Sequence, residues 1–409
     1  MRTVICLAAL ACLAVSSTHA QLTPPASRQP GTVIVLQPDR VFDGETMHAG
    51  WTVIVRDDRI EAAGPSLAAP PGAERIALAG TTLLPGLIEG HSHLLLHPYD
   101  ETPWNDQVLR EPLAYRVARA VNHARATLMA GVTTVRDLGA EGAGYADVGL
   151  KRAIDEGVIP GPRMLVAGPA MVALGSYAPK GFAPEWSVPQ GAEEASGVDG
   201  VMRVARDQIA RGADFIKVYA DYRYGPAGEA RATFTLEELR RIVEVATSSG
   251  RPVVAHASSP EGMRRAIEAG VETIEHGDGG TDEIWKLMVA RNVGFCPTLA
   301  AGDAITQYGG WKKGSDPEPA RIAAKRASFK AALDAGVTMC FGGDVGVYAH
   351  GDNARELELM VDYGMRPLDA LRSATSVNAR LFHLDARVGA VRKGLLADLV
   401  AVEGDPSTD

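Results

Sequence analysis

One short pattern recurs along the middle of this chain and constrains its fold more than any other feature. A helix-like stretch ends near a glycine or an asparagine, and a short apolar stretch follows and closes on a polar residue. The pattern occurs in LMAGVTTVRD (128–137), ARGADFIKVY (210–219), IEAGVETIEH (267–276), VARNVGFCPT (289–298) and ALDAGVTMCFGGD (332–344). Glycine or asparagine just past a helix end is the usual left-handed cap. Strands that alternate with helices predict a parallel sheet with helical crossovers.

The predicted strands of residues 85–385 are numerous enough for a barrel. They lie in LLPGLIEGHSH, TTVRD, RMLVAG, DFIKVY, PVVAHA, ETIEH, VGFCPT and TMCFGGD. About eight strand–helix units over this length predict a (β/α)8 barrel, which has its active site at the C-terminal ends of the strands.

The two ends of the chain have a different character. Residues 31–84 contain short runs rich in Val and Ile that are broken by Asp, Gly and Pro, and residues 386–409 have the same composition. Such runs are typical of short strands. Because no helix pattern interrupts either segment, we expect N- and C-terminal strands to pair in one small β domain, with the barrel inserted between them.

The first 20 residues predict export. Arg2, an apolar run that begins at Val4 and small residues up to Ala20 are typical of a cleaved secretory signal. A buried N-terminal helix and a lipoprotein signal at Cys12 are the alternatives. Residues 21–30 contain three prolines and predict a flexible leader. No later segment combines the length and apolar character that predict a membrane span.

Charge and cysteine content narrow the function classes. The net charge of −9 argues against a nucleic-acid substrate, because phosphate binding needs clustered Lys and Arg. Cys296 and Cys340 are the cysteines of the predicted mature chain, and both lie in apolar strand-like runs. We therefore expect two buried thiols.

Six polar side chains stand at the ends of the predicted strands. They are His91, His93, Lys217, His256, His276 and Asp344. His91 and His93 can bind one metal, since alternate positions on a strand face the same side. Imidazole and carboxylate groups together suit zinc and similar metals in hydrolytic sites. The alternative is a set of unrelated core and surface residues.

Lys217 is unusual among metal ligands. An ammonium group cannot bind a metal, and its burial beside cations is costly. Reaction with carbon dioxide would convert it to a carbamate, whose two oxygens can bridge two metals. The alternative is an ion pair with a nearby carboxylate such as Asp214 or Asp221.

Several segments together resemble a known family. LLPGLIEGHSHL, GVTTVRDLG, GADFIKVYADY, VVAHASS, ETIEHGD and FGGDVGVYAHGDNARELELMVDYGMRPLDAL are similar to motifs of the imidazolonepropionase-like amidohydrolases, and most of all to their secreted Xaa-Pro-dipeptidase-like branch. The resemblance covers about residues 35–405. It implies an α/β fold, with a distorted (β/α)8 TIM barrel and a small β-sandwich. It also implies a centre of two divalent metal ions, usually zinc.

The resemblance assigns a role to each predicted ligand. His91 and His93 would bind the more buried metal, and carboxylated Lys217 would bridge both metals. His256 and His276 would bind the more exposed metal. Asp344 would bind the buried metal and handle protons.

The substrate contacts are less constrained. Related dipeptidases often carry a Gly-Gly-His motif after the third strand, where this chain has GPAMVALGSYAPKGF, so the peptide specificity stays open. Tyr219 follows Lys217 by two residues and is a candidate substrate contact, with packing at the strand end as the alternative. His350 lies in a loop after Asp344 and is a second candidate, with a hydrogen bond that orders the loop as the alternative.

The expected function is metal-dependent hydrolysis of an amide bond in a small molecule, such as a dipeptide or an N-acyl amino acid. A metal-bridging hydroxide would attack the carbonyl, and Asp344 would transfer the proton to the leaving nitrogen. Hydrolysis of a cyclic amide, lactone or carbamate on the same site is the first alternative. A non-catalytic binding protein of the same fold is the second. The sequence leaves a homo-oligomer open.

Overall fold

The computed structural model describes residues 31–408, so the predicted signal peptide (1–20) and leader (21–30) lie outside the described residues. The strands in chain order are β1 (Val33–Phe42), β2 (Met47–Ala49), β3 (Trp51–Arg56), β4 (Arg59–Pro65), β5 (Glu74–Pro85), β6 (Leu87–Ser92), β7 (Val132–Asp137), β8 (Arg163–Val166), β9 (Met171–Ala173), β10 (Glu193–Ala195), β11 (Ile216–Tyr219), β12 (Asp221–Arg223), β13 (Ala230–Ala232), β14 (Val253–Ala257), β15 (Thr273–His276), β16 (Gly294–Cys296) and β17 (Leu399–Glu403). The helices are α1 (Trp104–Arg110), α2 (Leu113–Met129), α3 (Ala146–Asp155), α4 (Gly197–Ala210), α5 (Leu236–Ser248), α6 (Pro260–Ala269), α7 (Asp282–Arg291), α8 (Leu299–Tyr308), α9 (Ala320–Asp334), α10 (Ala354–Asp362), α11 (Pro367–Arg372) and α12 (Asn378–Leu381).

Strands from both chain ends share one sheet. Its order is β17-β5-β1-β3-β4, and β2 pairs with β1. The C-terminal strand β17 runs antiparallel to β5, with Leu399 opposite Pro85 and Glu403 opposite Thr81. Strands of residues 31–84 and 386–408 therefore belong to one sheet. These strands form a single sheet within residues 31–408, so the second layer of the predicted sandwich stays a prediction.

The middle of the chain forms an α/β fold of the TIM-barrel type. Its parallel strands are divided between two sheets, of order β6-β7-β8 and β10-β9-β11-β14-β15-β16. Residues 338–345 connect them, because Met339 bridges to Phe295 of β16 and Val345 bridges to Ser92 of β6. Seven of the eight predicted barrel strands are strands in the structure, whereas the eighth forms only these bridges. A single continuous eight-stranded sheet is not seen in the part of the chain that is described.

Helix ends follow the predicted local rules. Helix α6 begins after Ser259, whose side chain accepts a hydrogen bond from the N–H of Gly262, and it ends at Gly270 with φ 101°. Helix α7 ends at Asn292 with φ 53°. Both C-terminal residues adopt the left-handed conformation that ends a helix and directs the chain into the next strand. The predicted caps at these two positions are confirmed.

The main core lies between the helices and the parallel strands. Leu239 and Ile242 of α5 are buried in the same cluster as Val253 and Ala255 of β14. Full burial of one such Leu or Ile side chain contributes about 1.5–3 kcal/mol. Among the helices of residues 31–408, none has the length and apolar character needed to cross a membrane.

The prediction of two buried thiols is wrong. Cys296 and Cys340 form a disulfide, with their Cα atoms 4.6 Å apart. Cys296 ends β16, and Cys340 follows Met339 in the bridging segment beside that strand. The two cysteines lie 44 positions apart, and the sequence does not reveal this contact because it depends on how the strands are ordered in space.

Candidate metal centre

Three of the predicted ligands meet at one point. Single ligand atoms of His91, His276 and Asp344 all lie within 4.8 Å of one another, which is the spacing of a group that could hold a metal ion. His91 is near the end of β6, and His276 is the last residue of β15. Asp344 is held next to His91, because its backbone N–H donates a hydrogen bond to the carbonyl oxygen of His91 at 2.9 Å.

His93 extends the cluster on the side of Asp344. Its Nε2 atom lies 3.2 Å from Oδ1 of Asp344, and Nε2 of His91 lies 3.5 Å from the same oxygen. The His91 and His93 rings therefore converge on one carboxylate, as their alternation along the chain predicts.

His256 lies on the other side of His276. The two rings are 4.4 Å apart, and the His256 ring stacks on Tyr219 at 4.4 Å. Nε2 of His256 lies 3.8 Å from Oδ1 of Asp221, which is beyond hydrogen-bond distance. The structure thus brings all four predicted histidines and Asp344 to the same region.

Lys217 is buried beneath this cluster, with 1% of its surface exposed. Burial lowers the pKa of its ammonium group to about 8. Its Nζ atom has no hydrogen-bond partner within residues 31–408. The alternative ion pairs are absent there, since Asp214 binds Lys151 and Asp221 accepts hydrogen bonds from Ser258 and Ser259.

Three histidines are oriented from behind by other groups. Nδ1 of His91 lies 2.9 Å from Oε2 of Glu275, and Nδ1 of His93 lies 2.9 Å from the carbonyl oxygen of Gly139. Nδ1 of His276 lies 2.8 Å from Oγ1 of Thr298. These contacts leave each Nε2 atom directed into the cluster, which is how metal-binding histidines are usually held.

The histidines are mostly in the form that binds metals. Burial lowers the pKa of His91 to about 4, that of His256 to about 3, and that of His276 well below its ordinary value. Neutral imidazole is the ligand form. Burial also opposes protonation of His93, but the Asp344 carboxylate outweighs it and raises the pKa of His93 to about 9.

Backbone strain is concentrated at the same place. Four non-glycine residues of the cavity wall have positive φ angles: Glu141 (47°), His276 (74°), Thr298 (53°) and Asp344 (64°). A non-glycine residue in this region costs about 1–3 kcal/mol and persists only where the surroundings impose it. Such strain is found most often at functional sites.

A cavity of about 690 Å³ opens over the cluster. Tyr219, a candidate substrate contact, lines it together with Trp104, Tyr177 and Glu141. His350 is not among the lining residues. It stacks on His123 at 4.3 Å, and its Nε2 atom lies 3.0 Å from the carbonyl oxygen of Leu96. This placement favours the alternative in which His350 orders its loop.

Comparison with known proteins identifies the family. The sequence profile of the amidohydrolase family matches residues 82–409. The chain belongs to the amidohydrolase family. The amidohydrolase is 31% identical to ochratoxinase from Aspergillus niger over an alignment of 356 residues. This alignment covers 80% of this chain and 71% of that protein. The amidohydrolase is 23% identical to imidazolonepropionase from Micrococcus luteus over an alignment of 372 residues. This second alignment covers 85% of this chain and 86% of that protein.

Solved structures agree with this assignment. A crystal structure of a Xaa-Pro dipeptidase with bound methionine matches the amidohydrolase with a TM-score of 0.82 and 29% identity, over 92% of this chain and 95% of that chain. These relatives confirm the resemblance to imidazolonepropionase-like and dipeptidase-like amidohydrolases. The family is generally metal-dependent, and the group formed by His91, His276 and Asp344 could hold an ion.

The donor set of the amidohydrolase fits a divalent-metal centre. Imidazole nitrogens and a carboxylate converge on one point, and the buried amine of Lys217 has no hydrogen-bond partner among residues 31–408. The residues that orient this set, such as Glu275 and Thr298, were not identified from sequence. Glu275 directly precedes His276, and its carboxylate reaches the His91 ring, which lies 5.1 Å from the His276 ring.

Proposed function

We propose that this amidohydrolase is a metal-dependent hydrolase that cleaves an amide bond of a small substrate, either a dipeptide or an N-acyl amino acid. Its six proposed ligands are His91, His93, Lys217, His256, His276 and Asp344. The preferred metal is zinc, with two ions bound. We also propose that the two parallel sheets are parts of a distorted (β/α)8 barrel over residues 85–385. Residues 31–84 and 386–409 would form the small β domain.

The environment of Lys217 is the observation that best supports the proposal of two metal ions. The Nζ atom of Lys217 is buried beside the ligand cluster and has no hydrogen-bond partner among the described residues. A neutral amine at this place can add to carbon dioxide and release one proton, which gives a carbamate. The carbamate would supply two oxygen ligands and would remove the unfavourable buried ammonium group.

The chain's own residues then have separate tasks. Divalent cations, when bound here, would polarise the scissile carbonyl and lower the pKa of water. Asp344 accepts a proton from the attacking water at its carboxylate and returns it to the leaving nitrogen. Glu275 and Thr298 hold His91 and His276 in orientation through their Nδ1 contacts.

The cavity and the relatives support a small amide as substrate. A volume of about 690 Å³ lies within the range of small-molecule sites and would accommodate two amino-acid residues. Ochratoxinase is an amide hydrolase, and the matched crystal structure is of a Xaa-Pro dipeptidase. Arg223 and Arg321 also line the cavity and are exposed, so they are placed to bind a terminal carboxylate.

The alternative functions are hydrolysis of another substrate class at the same site and binding without catalysis. A cyclic amide, a lactone or a carbamate would use the same ligands. A non-catalytic binding protein is disfavoured because all six proposed ligands are present in the chain.

Export is part of the proposal. The disulfide between Cys296 and Cys340 supports it, since disulfides persist in oxidising compartments. Mass spectrometry of secreted or periplasmic protein is expected to show Gln21 as the first residue. An intact Met1 or a lipid on Cys12 would contradict simple cleavage.

The function is tested with zinc-loaded protein of known metal content. A panel of dipeptides, N-acyl amino acids, cyclic amides, lactones and carbamates is assayed for hydrolysis. We expect turnover of a dipeptide or an N-acyl amino acid and none in protein stripped by a chelator. Turnover confined to lactones or carbamates would replace the proposal with its alternative.

A further inference from the structure

Glu141 is a buried carboxylate in the wall of the cavity, close to the proposed metal ligands. It is 2% exposed and has a left-handed backbone with φ 47°. Its Oε2 atom accepts hydrogen bonds from Nε1 of Trp104 at 2.8 Å and from the hydroxyl of Tyr177 at 2.7 Å. Its Oε1 atom has one long contact, 3.4 Å from the hydroxyl of Tyr219. One oxygen of the carboxylate therefore has unused acceptor capacity.

Glu141 differs from other carboxylates around the cavity in having only neutral side-chain donors. Glu275 forms an ion pair with Arg136, and Asp278 forms one with Lys325. No ion pair to the Glu141 carboxylate occurs among residues 31–408. Arg116 is nearby, but its Nη1 atom donates to the backbone carbonyl of Glu141 at 2.8 Å. A buried carboxylate that forms no ion pair is costly, and a cationic ligand in direct contact with it would reduce that cost.

Aromatic rings surround the carboxylate. The Tyr177 ring packs 4.9 Å from Trp104, 4.8 Å from Tyr219 and 4.9 Å from Tyr222. All four rings line the cavity. Aromatic faces attract cations, and the effect grows when the cation is desolvated. A carboxylate within aromatic walls is therefore suited to an ammonium group.

We propose that Glu141 and these aromatic walls bind the free α-ammonium group of the substrate. This inference rests on the proposed function and narrows it: the substrate is a dipeptide or an aminoacyl amide with a free amino terminus, rather than an N-acyl amino acid. The Tyr219 ring contacts Glu141 through its hydroxyl and stacks on His256 at 4.4 Å. The Tyr219 ring thus lies between the Glu141 carboxylate and His256, which is a proposed metal ligand. This suits an α-ammonium group, which is two bonds from the scissile carbonyl carbon.

The test uses substrates that differ only in the amino group. Leucyl-leucine and 4-methylpentanoyl-leucine form such a pair, since hydrogen replaces the α-amino group in the second. Hydrolysis of the pair is measured with zinc-loaded wild type and with Glu141→Gln. Binding of the pair is measured by calorimetry with metal-free protein, in which no turnover occurs. Gln retains the shape of the side chain and one acceptor oxygen for Trp104 and Tyr177.

We expect wild type to prefer leucyl-leucine by at least about 100-fold in kcat/KM, because a site built to bind a polar group can reject an analogue without that group by about 10⁴–10⁵-fold. In Glu141→Gln that preference should fall below about tenfold, mainly through a higher KM for leucyl-leucine. Equal hydrolysis of the pair by wild type would overturn the inference and leave the proposed function intact. An unchanged preference in Glu141→Gln would also overturn it, because Glu141 would then only support the aromatic wall.

Two further measurements keep the test decisive. Glu272→Gln is the matched control, because Glu272 lies outside the cavity wall and contacts the exposed His383, so this variant should keep the preference for leucyl-leucine. If Glu141→Gln does not fold, calorimetry of metal-free wild type decides alone: tighter binding of leucyl-leucine supports the inference, and equal binding overturns it. Preferential binding without hydrolysis of any amide by zinc-loaded protein would support the ammonium pocket while contradicting the proposed function.

Discussion

The Nδ1 atom of His91 lies 2.9 Å from Oε2 of Glu275, so a buried carboxylate holds the first predicted metal ligand from behind. The other oxygen, Oε1, accepts hydrogen bonds from Nη2 of Arg136 at 2.8 Å and from Oγ1 of Thr273 at 2.6 Å. Glu275 therefore connects the metal centre to a buried cation that has no other carboxylate partner among residues 31–408. Loss of the Glu275 carboxylate is therefore expected to lower both the metal affinity and the free energy of unfolding.

Glu275→Gln should weaken both properties. Loss of a supporting group of this kind costs about 10–100-fold in metal affinity. The variant also leaves Arg136 buried without its anion, which costs about 3–5 kcal/mol of unfolding free energy. Zinc titration and chemical denaturation measure the two effects. Glu272→Gln is the matched control, because Glu272 binds the exposed His383 and should change neither property. Unchanged zinc affinity in Glu275→Gln would exclude the supporting role.

The contrast between His91 and Glu275 shows what could be predicted from sequence. His91 and His93 stand two apart at a strand end, and strand alternation predicts that they face the same side and can bind one metal. Glu275 has no such spacing relation to His91, since the two lie 184 positions apart in the chain. Their contact depends on how β6 and β15 are arranged across the fold. For the same reason the Cys296–Cys340 disulfide was missed. Glu141 was missed because its loop has no repeating pattern.

Lys217→Ala should lose metal and activity together. The variant removes the amine that would form the bridging carbamate. A short carboxylic acid such as propionate should restore part of both, because its carboxylate can occupy the vacated space. Metal analysis and amide hydrolysis with and without propionate measure this. Lys151→Ala is the control, since Lys151 pairs with Asp214 at 2.6 Å outside the ligand set. Full activity of Lys217→Ala without added acid would exclude a bridging role.

Asp344→Asn should fold and retain much of its metal while losing turnover. Asn tolerates the left-handed backbone that Asp344 adopts at φ 64°, so the variant keeps the local geometry. It lacks the basicity needed to accept a proton, and kcat should fall by about 10²–10⁴-fold with little change in KM. Steady-state kinetics on metal-analysed protein measure this. A metal-loaded Asp344→Asn enzyme with kcat within a few-fold of wild type would contradict the assigned proton transfer.

Replacing both cysteines should destabilise the fold without emptying the metal centre. In the chain-entropy treatment, a disulfide closing a loop of 44 residues contributes about 4 kcal/mol, and typical measured values are about 2–4 kcal/mol. Denaturation of Cys296→Ser/Cys340→Ser is compared with wild type in the absence of reductant. Wild type unfolded without reductant should show no reactive thiol once the predicted signal has been removed. Two reactive thiols under those conditions would contradict the disulfide.

Metal titration of the wild-type protein tests the central claim most directly. Protein is stripped with a chelator, and zinc is returned in steps while bound metal and hydrolysis of the best amide are followed together. Amide hydrolysis should be absent in the stripped protein, rise with added zinc and saturate near two ions per chain. Undiminished hydrolysis in the stripped protein, or two bound zinc ions with no hydrolysis across the substrate panel, would contradict the account.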